Sequence, residues 1–147
     1  MSDNVKARKK ILNLLSRMDR SEYELRSKLE TAGFNLEEID GAVKYAASYG
    51  YIDDDRFADT YVRINSSRKS FRRITKELHD KGIDDEKIAH AISVCENKEA
   101  DLIEHLARKK LNNKEMSHEN IQKCKAYLFR QGFSLDDINT VLDNLTI

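Results

Sequence analysis

Three times in this chain, two apolar residues four positions apart are followed, four positions later, by a glycine. The sets are Leu25, Leu29 and Gly33; Ile74, Leu78 and Gly82; and Cys124, Leu128 and Gly132. Each glycine is followed at once by an apolar residue (Phe34, Ile83, Phe133) and six positions on by an isoleucine (Ile39, Ile88, Ile138). The glycines are 49 and 50 residues apart. Self-similarity at a fixed spacing is the mark of a repeat architecture, in which neighbouring units bury a core that one unit could not build alone.

Composition narrows what the repeating unit can be. Among 147 residues there is no proline and no tryptophan, and of five glycines only Gly41 falls inside a periodic segment. Gly33, Gly50, Gly82 and Gly132 stand at segment ends, where a left-handed residue closes a helix. The apolar residues recur at helical spacing, and an all-α fold follows.

Along the chain the first helix is expected from Val5 to Arg17, with Ala7, Ile11, Leu12, Leu14 and Leu15 inward. Lys6, Arg8, Lys9 and Lys10 crowd its first turns against the helix dipole, as a solvated tail or as a contact for an anionic partner. Ser21 to Glu24 and Asn35 to Glu38 read as capping boxes that open two further helices. Asp53, Asp54 and Asp55 open a fourth; Phe57, Ala58, Tyr61, Val62 and Ile64 form its apolar stripe. Ser70 caps a fifth, whose inward face is Phe71, Ile74 and Leu78, and Asp84 begins a sixth around Ile88, Ala91 and Ile92. The last three place Leu102, Ile103, Leu106 and Ala107, then Ile121, Cys124, Tyr127 and Leu128, then Leu135, Ile138, Val141, Leu142 and Leu145 inward. The expected architecture is three tandem three-helix, helix-turn-helix-like repeats, over residues 1–52, 53–96 and 97–147, stacked into an elongated, curved array.

Net charge is zero, with 26 basic and 26 acidic residues, but the charges are segregated. Residues 34–55 hold six acids and one base, net −5, and residues 56–81 hold eight bases and three acids, net +5. Such a dipolar layout orients a protein toward a charged partner. Arg63, Arg68, Lys69, Arg72, Arg73, Lys76 and Lys81 are the candidate partner-binding set, because arginine bridges phosphates or carboxylates in bidentate fashion. A solvated helix face is the alternative.

Other chemistries find little support. The three aspartates lack the alternating spacing of a calcium loop and read as helix-capping groups. Tyr49, Tyr51 and Phe57, at a helix junction, read as core and not as base-stacking groups. Cys95 and Cys124 lack zinc spacing and any adjacent activating group, and read as reduced thiols of a cytosolic protein. His79, His90, His105 and His118 form no acid–base pattern, and no glycine-rich phosphate loop is present. No stretch approaches the roughly 18 apolar residues of a membrane span. The chain is expected to be a soluble monomer in the cytoplasm, with no cofactor, metal or catalytic residue.

Beside these features stands a resemblance. Gly50-Tyr51-Ile52-Asp53-Asp54-Asp55-Arg56-Phe57-Ala58, then Tyr61-Val62-Arg63, Arg73-Ile74, Glu77-Leu78 and Lys81-Gly82-Ile83 resemble the signature of the RecX family, bacterial regulators of the recombinase RecA. Glu24-Leu25 through Lys28-Leu29 to Gly33-Phe34 resembles that family's first-repeat pattern. Members often make a glycine-containing turn before the R-R-I element; here Arg68-Lys69-Ser70-Phe71 puts a serine cap there.

The resemblance implies three tandem three-helix repeats and a modulator, usually an inhibitor, that binds the groove of the RecA filament on single-stranded DNA. It would limit filament extension, ATP hydrolysis, strand exchange and coprotease activity, and so act in homologous recombination, DNA repair and the SOS response. The competing readings are a DNA-binding helical protein that competes for DNA through the basic face, weakly and salt-sensitively, or a helical-repeat scaffold for another partner. Against a recognition helix, the third helix of each triplet opens with acids: Glu37, Glu38 and Asp40; Asp85 and Glu86; Asp136 and Asp137.

Overall fold

A computed structural model describes residues 2–145, with side chains from residue 5 onward. The described residues form nine helices and no strand: α1 Ser2–Arg17, α2 Glu22–Thr31, α3 Leu36–Ser48, α4 Asp54–Asn65, α5 Phe71–Asp80, α6 Asp85–Val94, α7 Glu99–Leu111, α8 His118–Arg130 and α9 Leu135–Leu145. The expected outer ends of the array, at residues 1 and 147, lie outside the described residues. Because α1 starts at Ser2 and not Val5, Lys6 to Lys10 fall beyond its first turn. The dipole's effect has largely faded there, so these cations do not oppose the helix.

Local chemistry sets the helix ends. Both capping boxes form: Ser21 and Asn35 accept from the N–H groups of Glu24 and Glu38, whose side chains reach back to the cap. The glycine signature is a helix stop made four times. At each, the glycine has positive φ and the apolar residue after it donates its N–H to a carbonyl five residues back. These bonds run Phe34 to Leu29 (3.2 Å), Tyr51 to Ala46 (3.0 Å), Ile83 to Leu78 (3.0 Å) and Phe133 to Leu128 (3.4 Å). The recurring leucine–glycine–apolar spacing is therefore the footprint of one backbone motif.

The chain divides into two compact units, one built from Met1–Thr60 and Leu78–Ala91, the other from Tyr61–Glu77 and Ile92–Ile147. In the first, α1, α2 and α3 pack pairwise around Ala7, Ile11, Leu25, Leu29, Ile39, Ala42, Val43, Ala46 and Ile52. In the second, α7, α8 and α9 do the same around Leu102, Ile103, Ala107, Leu111, Cys124, Leu128, Phe133, Ile138 and Leu142. Helices α4, α5 and α6 each contribute residues to both units; Phe57, Ala58, Leu78, Ile88 and Ala91 are buried in the first, Val62 and Ile74 in the second.

Each unit contains the same joint. In the first, the buried Ser21 hydroxyl donates to the Lys81 carbonyl (2.6 Å), and the Glu22 N–H donates to Asp54 Oδ1 (3.0 Å). In the second, the buried Ser70 hydroxyl donates to the Gln131 carbonyl (2.9 Å), and the Phe71 N–H donates to Glu99 Oε1 (2.6 Å). One serine thus caps its own helix and satisfies the carbonyl before a glycine elsewhere in the chain. Two aspartates expected as equivalent caps have separate tasks. Asp53 accepts from the Arg56 N–H at the start of α4, while Asp54 serves the joint. Burial raises the Asp54 pKa, although its bond from Glu22 pulls the other way.

Four side chains expected inside are outside. Tyr49 and Tyr51 are 62% and 47% exposed and stack on each other, with Tyr49 also edge-on to Tyr45. Ile64 and Leu135 are each 53% exposed, the first because the α4 stripe narrows to Val62 in its last turn, the second because it lies one residue past the Ser134 cap. Phe57, by contrast, is core.

Candidate partner-binding face

The end of α4, the turn after it and α5 carry most of the basic set. Ile74 and Leu78 point into the core, so helical geometry turns Arg72, Arg73 and Lys76 outward. Ser70 starts α5, accepting from the Arg73 N–H at 3.1 Å. The turn is built on Asn65, which the sequence reading passed over. Its carbonyl accepts from the N–H groups of Arg68 (3.0 Å) and Lys69 (2.9 Å). Its side chain donates to the Tyr61 carbonyl (2.8 Å) and accepts from Arg68 Nη2 (3.3 Å). Side-chain and backbone bonds from one asparagine thus close this turn without a glycine.

Seven cations do not make one uniform surface. Glu77 is a hub that accepts from Lys69 Nζ (2.7 Å), Arg73 Nε (3.2 Å) and the Tyr61 hydroxyl. Lys81 lies in the other unit, paired with Glu24 at 3.3 Å. Arg63, Arg68 and Arg72 are exposed and form no ion pair among the described residues. The outward charge of this face is therefore carried mainly by those three arginines, and Lys69 and Arg73 are largely structural.

Burial would raise the pKa of Glu77, but the bonds from Lys69 and Tyr61 and the charges of Lys69 and Arg73 outweigh it and lower it. A lowered carboxylate pKa means the hub stabilises the fold at neutral pH and loses that contribution as pH falls below the usual glutamate value of about 4.3. Glu77→Gln should remove on the order of 0.5–1 kcal/mol at pH 7 and less at pH 3. Urea unfolding at both pH values checks this; an equal loss at each would refute the hub.

Among the described residues no group of histidine, cysteine, aspartate and glutamate side chains could hold a metal, and no helix is long and apolar enough to cross a membrane. Cys124 is fully buried, and burial pushes its thiol pKa up against the partial offset of Lys110 and Lys114. A thiol so placed is a small apolar side chain and a poor nucleophile.

Comparison with known proteins identifies the lineage of this arrangement. The family models described as the first, second and third three-helix domains of RecX match residues 7–45, 53–92 and 97–142. The chain belongs to the RecX family. The regulatory protein RecX of Caldanaerobacter subterraneus subsp. tengcongensis is 36% identical over 143 residues, covering 95% of this chain and 70% of its own. That of Vibrio vulnificus is 31% identical over 135 residues, covering 90% and 88%. The crystal structure of RecX from Lactobacillus salivarius superposes with a TM-score of 0.87 at 27% identity, over 99% of this chain and 97% of that one. A crystal structure of regulatory protein RecX gives 0.84 at 26% identity, over 96% and 72%. These RecX relatives are named as regulators, not as enzymes.

A second basic region of this RecX-family chain escaped the sequence reading. From Arg108 to Arg130 there are seven bases and two acids, net +5, equal to the net charge of residues 56–81. The signal was present in the charge count, but a loop separates its two halves, and only the fold shows Lys110, Lys114 and Arg130 lining one cleft.

Proposed function

We propose that this protein modulates RecA, most often as an inhibitor, by binding in the groove of the RecA–single-stranded-DNA filament. In that role it limits filament extension, ATP hydrolysis, strand exchange and coprotease activity, and it acts in the bacterial cytoplasm in recombination, DNA repair and the SOS response. The observation that carries this reading is the match to all three RecX domains along the chain. Arg63, Arg68 and Arg72, none of them in an ion pair among the described residues, support a contact with an acidic surface or with phosphate. Three consecutive repeats, with the middle one presenting the contact, suit a ligand that is itself a repeating filament.

The test is the single-stranded-DNA-dependent ATPase of the cognate RecA, titrated with this protein, beside anisotropy on DNA alone at near-physiological salt. Hydrolysis should fall at protein concentrations where DNA alone is barely bound. If it falls only in step with occupation of the DNA, competition for DNA replaces the filament reading. If it does not fall, the RecA assignment fails.

A further inference from the structure

The end of α7, the loop after it and α8 enclose a cleft of about 290 Å³, close to the lower bound of roughly 300 Å³ for small-molecule sites. Lys110, Lys114, Asn120, Lys123 and Arg130 supply its polar lining, and Leu111, Cys124 and Ala126 the apolar part. Lys123 is held by Glu119 at 3.2 Å. Lys110, Lys114 and Arg130 are exposed and form no ion pair among the described residues. The Lys110 ammonium lies 4.8 Å from the centroid of the Tyr127 ring. That contact orients the ammonium but leaves its charge without a counter-anion.

The loop holds Lys114 in place. Asn113 takes a left-handed conformation (φ 61°), and the Lys114 N–H then donates to the Leu111 carbonyl at 2.9 Å. Asn120 Nδ2 donates to the Glu115 carbonyl at 2.8 Å, tying the loop to α8. The acids of this region are few: Glu119 is engaged by Lys123, leaving Glu115, which is exposed. On the α4–α5 face, by contrast, Glu77 already neutralises Lys69 and Arg73. Each of the two basic regions thus keeps three cations outside any ion pair among the described residues, and in the cleft all three line one concavity.

We propose that this cleft binds a run of phosphate groups, supplied by a nucleic-acid strand or by a free oligophosphate, at a site separate from the α4–α5 face. Two lysine ammoniums supply mobile point charges, and the Arg130 guanidinium can hold one phosphate in bidentate fashion. The proposal does not depend on the RecA reading, because it concerns the isolated protein and a different surface.

The test uses the full chain and the variant Lys110→Ala/Lys114→Ala/Arg130→Ala. Anisotropy of a labelled single-stranded oligonucleotide is followed from about 50 to 200 mM salt, where each neutralised phosphate contributes about 0.7 to the salt slope. The triple variant should bind roughly tenfold or more weakly at low salt, with the slope reduced by about 2. Its helical circular dichroism should be unchanged and its melting temperature nearly so, since all three side chains are exposed and the variant gives up the Lys110 contact with the Tyr127 ring. Tripolyphosphate, titrated calorimetrically, separates the sources. Displacement of the oligonucleotide at equal phosphate concentration, with loss of binding in the variant, assigns a free oligophosphate; weakened oligonucleotide binding without displacement assigns a strand. Identical affinity and slope in the variant for both probes, or no binding of either probe by the parent protein at 50 mM salt, overturns the proposal.

Discussion

Gly82→Ala should destabilise the protein by about 2–4 kcal/mol, whereas Gly33→Ala should cost about 1 kcal/mol, although both glycines end a second helix of the repeat. The shared part is conformational: φ is +79° at Gly82 and +97° at Gly33, and an L-residue pays about 1–2 kcal/mol in the left-handed region. The difference is steric. A Cβ at Gly33 would meet nothing within 4 Å, but one at Gly82 would lie 2.2 Å from Tyr23 Cβ. That atom is fixed by the α2 backbone, so no rotamer change relieves the overlap; α2 or the joint must shift, at a cost of about 1–3 kcal/mol.

Chemical denaturation of the two variants measures the gap. Tyr23→Gly should recover part of the loss in the Gly82→Ala background, beyond its own cost to the helix, because it removes the colliding atom. Equal destabilisation by the two alanines would refute the close approach. Gly132 presents the same crowding in the other unit, where an added Cβ would lie 2.5 Å from Ser70 Oγ. That hydroxyl can swing away only by giving up its bond to Gln131.

Arg63→Glu with Arg72→Glu should raise the concentration needed for half-inhibition of RecA ATPase roughly tenfold or more, on the basis of about 1.5–3 kcal/mol for a hydrogen bond to a charged group. These two arginines are chosen because neither forms an ion pair among the described residues. Reversal therefore changes what the surface presents without unmaking an internal contact. Reversal of Arg73 would be a poorer probe: it would set a second carboxylate against Glu77, now 3.2 Å from the Arg73 Nε, and a loss of function could then reflect a disturbed hub. The double variant should melt with the parent protein. Undiminished inhibition would remove the α4–α5 face from the interaction and leave the RecA reading to rest on other surfaces.

Much of the fold was legible because its determinants are local. A helix stop at Gly33, Gly50, Gly82 or Gly132 needs one residue that tolerates positive φ and one apolar residue after it, and both are visible as adjacent letters. The caps at Ser21, Asn35 and Ser70 lie within three residues of the groups they serve. Helical spacing likewise predicted the buried faces of most helices. It failed at Ile64 and Leu135, and the expectation that junction aromatics are core failed at Tyr49 and Tyr51; each lies next to a helix end, where the face that packs is set by the neighbouring element.

The sequence by itself determined that the chain is helical, that it repeats, where its helices stop, and which family it resembles. Only the tertiary structure decided which charges are free. Lys69 lies eight residues from Glu77 and Lys81 fifty-seven from Glu24, so their neutralisation is invisible to a count along the chain. It also decided that Ser21 and Ser70 join distant segments, and that Lys110, Lys114 and Arg130 line one cleft. The physical reason is range. Capping and periodicity act over a few residues and leave their mark in order, whereas ion pairing and close approach depend on distances that exist only once the chain has folded.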